Sequence, residues 1–143
     1  MNIKNQKGFT LIELLVVIAI IGLLSTMSVV ALNSARQKSR DAKRLSDMKQ
    51  IQTALELYYT DANVYPSATT DNPFTTSTIA YNGNIYMASV PSNPSPRTDG
   101  SPACTDSNYI YFGGGTTYSI YYCLGEATGG LTAGIHHATP AGL

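Results

Sequence analysis

Few residues in this chain could do chemistry, and one of them stands in an unusual place. Glu13 is the only charged residue between Lys7 and Arg36, inside the run KGFTLIELLVVIAIIGLL of Lys7–Leu24. A carboxylate at membrane depth is costly unless something neutralises it. Near a helix N-terminus the backbone dipole offsets under about 2 kcal/mol of that cost. A free amine brought close by a second molecule would offset more. The remaining candidates are Cys104, Cys123, His136, His137, Asp99 and Asp106. Adjacent histidines point apart on a strand, so His136 and His137 make a poor zinc pair. Asp99 and Asp106 supply too few oxygens for a calcium shell of about six to eight. No metal site and no cofactor is expected. The chain has no G-x-S-x-G, no H-E-x-x-H and no phosphate-cradling loop followed by Lys and Ser or Thr. FGGGTTY resembles such a loop only superficially, and a β-turn fits it better. An enzyme is therefore not expected.

The elements that carry these residues follow from charge and hydropathy. Only 13% of the 143 residues are charged and the net charge is zero, so a nucleic-acid partner is not expected. The bases crowd together as Arg36, Lys38, Arg40, Lys43, Arg44 and Lys49. Beyond Gln50 only Arg97 faces Glu56, Asp61, Asp71, Asp99, Asp106 and Glu126. Leu14–Leu32 is nineteen residues without a charge. About twenty helical residues span a hydrocarbon core of roughly 30 Å, so this is a transmembrane candidate of minimal length. Ser25, Thr26 and Ser28 weaken its second half. A buried core helix is the bland alternative. A secretory signal peptide cleaved near LNSAR is another, but this run is long for one and carries an acid.

KGFTLIE followed by LLVVIAIIGLL resembles the processing site and N-terminal helix of type IV prepilins and type II secretion pseudopilins. The resemblance implies a leader at 1–8, cleavage by a prepilin peptidase between Gly8 and Phe9, and N-methylation of Phe9. It assigns Glu13 to assembly, paired with the Phe9 amine of a neighbouring subunit. In the low dielectric of the membrane that attraction is strong, and it also sets an axial register. The implied product is a helical filament, a head-to-tail contact that does not close.

The helix continues past the membrane segment. No proline occurs between Phe9 and Tyr65, and Leu45, Met48, Ile51, Leu55 and Tyr58 recur at spacings of three and four. Asp41, Lys43, Asp47, Lys49 and Glu56 fall mostly off that stripe. A helix from about Phe9 to about Asp61 would be roughly 80 Å long. Val30 stands near the place where many family members have a proline. Asn63 is a C-cap candidate with Pro66 beyond it. SATTDNPFTTST reads as a polar surface loop, and NIYMASVPSNP as a short helix or turn ending at Pro91. Asn93, Pro94 and Ser95 partly match an Asp-Pro-Trp pattern of the pseudopilins. Tyr109–Phe112 and Thr117–Leu124 read as strands around a turn at Gly113–Gly115, with an edge strand in the tail.

These readings give an α+β fold: a long N-terminal spine helix packed on a small antiparallel sheet. Residues 9–35 form its transmembrane and filament-core half, and residues 36–143 the exported head. An exported domain makes a Cys104–Cys123 disulfide the default, closing a loop worth about 3 kcal/mol. Counting bases beside the span puts the C-terminus in the cytoplasm. The prepilin motif and the cysteine pair put it outside, and that is the orientation expected. The basic collar would then meet lipid head groups or acids on neighbouring subunits. The expected function is a structural subunit of a type IV pilus or pilus-like filament. The alternatives are a pseudopilin of a type II secretion apparatus, or a minor tip pilin acting as an adhesin or DNA-binding module. Expected partners are further copies of the chain, the prepilin peptidase, the inner-membrane pilus or secretion assembly machinery, and the membrane. The chain would reside in the inner membrane before assembly, and in an extracellular or periplasmic filament afterwards.

Overall fold

The computed structural model describes residues 8–69, 73–97 and 108–143. Packing divides the chain into two units, Met1–Arg36 and Gln37–Leu143. Helix α1, Leu11–Ala62, runs through both. It ends where Asn63 adopts a left-handed conformation (φ 56°) and donates its N–H to Tyr59 O at 2.8 Å. That cap satisfies a carbonyl the last turn would otherwise leave open.

In the first unit α1 buries nothing within the chain, and its apolar side chains from Phe9 to Leu32 are exposed. Two hydroxyls of its second half are satisfied internally. Thr26 Oγ1 donates to Leu23 O and Ser28 Oγ to Leu24 O, both at 2.8 Å. Hydroxyls bonded this way present no open donor to lipid. This is a helix long and apolar enough to cross a membrane.

The second unit is the head. Its core sets Met48, Ile51, Ala54, Leu55 and Tyr58 of α1 against a three-stranded sheet. The strands are β3 Ile110–Gly114, β4 Thr117–Leu124 and β5 Gly134–Ala138, antiparallel in the order β3-β4-β5. Period-two alternation sends Tyr118, Ile120, Tyr122 and Leu124 inward from β4. Each large side chain buried this way contributes roughly 1.5–3 kcal/mol. Tyr118 and Tyr122 bury their hydroxyls without a hydrogen-bond partner among the described residues, whereas two other core tyrosines bury their rings and place their hydroxyls on acceptors. Tyr65 donates to Glu56 Oε1 at 2.8 Å and Tyr111 to Pro66 O at 2.8 Å. After the helix cap, Tyr65 N–H bonds Gly115 O and Ala68 N–H bonds Gly113 O, tying the chain to the β3–β4 hairpin.

Three expectations need correction. Asn84–Met87 is not a short helix or turn. It is strand β2, paired antiparallel with β1 Ile79–Tyr81 through Asn82 and Gly83, which both have positive φ. An Asn-Gly pair between apolar residues favours a hairpin turn of this kind. The polar stretch before β1 contains a one-turn helix, α2 Pro73–Thr76, whose Phe74 packs on Tyr109 and Tyr111. The β3–β4 turn is Gly115–Thr116, so Gly113 and Gly114 belong to the strand.

Candidate assembly site and head anchor

Thr10 and Glu13 start the helix together. Thr10 N–H donates to Glu13 Oε2 at 2.8 Å, and Thr10 Oγ1 donates to the same oxygen at 2.7 Å. Glu13 N–H in turn reaches Thr10 Oγ1 at 3.3 Å. This is a capping box, with Thr10 as N-cap and Glu13 three residues on. The sequence carries its signal, T-x-x-E ahead of an apolar run, alongside the membrane charge. Glu13 therefore has a local role besides any partner in another molecule. The bonds recorded for it land on Oε2, which leaves Oε1 for a further donor. Gly8 and Phe9 precede the helix and are exposed, with open space where a Gly8 side chain would stand.

A second cluster lies in the head, where the sequence suggested a surface collar. Arg44 is fully buried, and so is Asp41. Arg44 Nη1 donates to Asp41 Oδ1 at 2.6 Å and Nε to Asn93 Oδ1 at 2.8 Å. Its Nη2 reaches Pro94 O at 3.1 Å and Pro96 O at 2.9 Å. Asp41 also accepts Gly125 N–H at 3.1 Å and Glu126 N–H at 2.9 Å. Removing one partner of such a pair leaves a buried charge uncompensated, at a cost of about 3–5 kcal/mol. Of the expected basic collar, Arg36, Lys38, Lys43 and Lys49 are exposed and Arg40 is half-buried. Lys38 lies 3.7 Å from Glu126, a surface contact worth under about 1 kcal/mol. Asn93 and Pro94, where the pseudopilin pattern has Asp and Pro, thus serve as acceptors for Arg44.

Asp47, placed off the apolar stripe by sequence, is buried too and accepts the Tyr109 hydroxyl at 3.0 Å. Burial pushes its carboxyl above the ordinary range, against smaller opposing effects from the Tyr109 bond and Lys43. A raised carboxylate pKa means that the folded head holds more protons than the unfolded chain. Stability from this group is thus present at low pH and lost as pH rises from about 4 through the raised folded value. Asp47→Asn keeps an acceptor for Tyr109 and has no charge to bury. Its melting temperature relative to wild type should climb with pH across that window and then level off. A difference that stays flat from acid to neutral pH would refute the burial argument.

Cys123 lies half-buried on β4 and is disulfide-bonded. Cys104, its expected partner, is outside the described residues, as are Asp99 and Asp106. The histidines diverge as a strand requires. His136 Nε2 bonds Thr132 O at 2.8 Å, and the His137 ring packs tilted against Tyr121 with ring centroids 3.9 Å apart. Among the described residues no cluster of His, Cys, Asp and Glu could hold a metal ion.

Comparison with known proteins places this site in a family. Residues 3–29 match the model of the prokaryotic N-terminal methylation motif. The type II secretion system core protein G of Vibrio cholerae is 34% identical over 96 residues, covering 67% of this chain and 58% of that protein. The protein of the same name from Pectobacterium carotovorum is 42% identical over 63 residues, 44% of this chain and 40% of its own. That of Escherichia coli is 40% identical over 63 residues, 44% of this chain and 43% of its own. The chain thus spans 40% to 58% of the length of these relatives. No solved structure matches it. With the motif over the capped apolar helix and the long helix leading into a small antiparallel head, the chain belongs to the type IV pilin and type II secretion pseudopilin family.

Proposed function

We propose that this chain is a pseudopilin, a subunit that polymerises through the apolar half of α1 into the filament of a type II secretion apparatus. The observation that carries the reading is the first unit of α1. It exposes a continuous apolar surface with one capped carboxylate at its start. Such a surface needs lipid or other copies of itself around it. The names of the relatives favour the secretion filament over the type IV pilus, which the sequence alone put first. A tip adhesin has no observation in its favour beyond the exposed bases.

On this reading Met1–Gly8 is a leader, the prepilin peptidase cuts Gly8–Phe9, and Phe9 is methylated. The head is exported and held by a Cys104–Cys123 disulfide. The subunit waits in the inner membrane with its C-terminus outside until the assembly machinery adds it to a periplasmic filament. Intact-mass analysis of protein from its own host should give a chain starting at Phe9 with one added methyl group. Deleting the gene should block release of a secreted protein while leaving surface pili. A mature N-terminus near Ala35 would mean signal-peptide removal and no filament core. Loss of surface pili with secretion intact would return the protein to the type IV pilus.

A further inference from the structure

We infer that Arg44 is the built-in structural cation of the head, the charge around which three separate segments are gathered. Among its partners in the described residues are Asp41 Oδ1, Asn93 Oδ1, Pro94 O and Pro96 O, at 2.6 to 3.1 Å from the guanidinium. One carboxylate, one amide oxygen and two backbone carbonyls form the kind of donor set that hard cations prefer. Here a covalently attached cation fills it. The planar fork satisfies diverging acceptors in a way that an ammonium point charge does not.

The anion half of the centre extends the reach. Asp41 also takes the N–H groups of Gly125 and Glu126, the turn that follows β4. Helix α1, residues 93–96 and the 125–126 turn therefore meet at one buried ion pair. None of these contacts is apolar, so the core cannot replace them. Two of the acceptors are backbone carbonyls of prolines, whose positions depend on the chain path and not on a rotamer. Pro94 is half-buried and Pro96 exposed, so their carbonyls exchange water for the guanidinium when they dock, while Asn93 is buried with its amide oxygen on the same group. The cation therefore favours docking of residues 93–96 here. The inference concerns the head alone and holds whether or not the chain forms a secretion filament.

The experiment uses the full chain in detergent micelles, with melting by circular dichroism and hydrogen exchange at the Gly125 and Glu126 amides. Arg44→Ala should lower the melting temperature by more than about 10 °C and strip protection from both amides. Guanidinium ion at about 50 mM, too dilute to denature strongly, should restore at least half of that loss. Sodium chloride at equal ionic strength should not. Arg44→Lys should remain well below wild type, because its ammonium lacks the fork. Should Arg44→Ala fail to fold, Asn93→Ala removes a single acceptor and still reads the site. It should lose protection at Gly125 and Glu126 more than in the middle of β4. Full protection at the two amides in Arg44→Ala or Asn93→Ala would overturn the inference. So would equal recovery with sodium chloride, or wild-type stability in Arg44→Lys.

Discussion

Glu13→Val should leave processed protein in the membrane and abolish or severely reduce its filaments. The carboxylate lies beside Leu11, Ile12, Leu14 and Leu15, all exposed to whatever surrounds the helix. In a chain cut at Gly8–Phe9, no side-chain base would stand near it. Arg36 is the next one, about 35 Å further along a helix. Thr10 gives Glu13 two hydrogen bonds, but it does not neutralise the charge. The amine created at Phe9 of a neighbouring copy would supply the missing charge and fix the axial register. Valine removes a charge from a helix apolar enough to cross a membrane, so membrane residence should hold or improve. It also removes half of the capping box, and loss of a cap typically costs about 1 kcal/mol. Glu13→Gln separates the two roles, since an amide oxygen can still accept from Thr10 while carrying no charge. Fibre yields from purified membranes should be low for both variants. Wild-type yield from Glu13→Gln would show that the cap, and not the charge, is what assembly needs. A variant left uncleaved would assign Glu13 to recognition by the peptidase instead.

The spine was legible in the sequence because its determinants are local. Nineteen uncharged residues, a three-and-four apolar stripe, and Asn63 ahead of Pro66 each act within a turn or two of helix. The structure places the end of α1 within a residue of that reading. Aromatic and β-branched content beside a glycine run likewise marked β4. Arg44 was not legible, because its acceptors besides Asp41 lie 49 to 52 residues away and two of them are backbone carbonyls without side-chain identity. A base within a run of bases reads as a solvated face until the chain path is known. Asp41 and Asp47 were misplaced for a related reason. Both project from the buried side of α1, where a polar residue is tolerated only because a distant partner reaches it. The hairpin at Asn82-Gly83 and the capping box at Thr10–Glu13 differ in kind. Their signals were local, and stronger features beside them drew the reading away: Pro91 in one case and the membrane charge in the other.

The glycine run before β4 leads to the second large effect, in stability. Gly113→Ala should destabilise the head by about 3 kcal/mol, although glycine is ordinarily a poor strand residue. A Cβ on Gly113 would overlap the ring and hydroxyl of Tyr111 on the same face of β3. That ring has no easy retreat. It is 2% exposed, it packs against Phe74 and Tyr118, and its hydroxyl donates to Pro66 O at 2.8 Å. Overpacking of this kind costs about 1–3 kcal/mol, and breaking the hydroxyl bond adds about 1 kcal/mol. Gly113 is therefore present for the space it leaves, not for a turn. Urea unfolding in micelles, read as a double-mutant cycle with Tyr111→Leu, isolates the clash. Without the ring, Gly113→Ala should cost little or even stabilise by a few tenths of a kcal/mol, since alanine restrains the unfolded chain. An equal loss in both backgrounds would show that Gly113 is needed for its backbone, and that Tyr111 merely lies nearby.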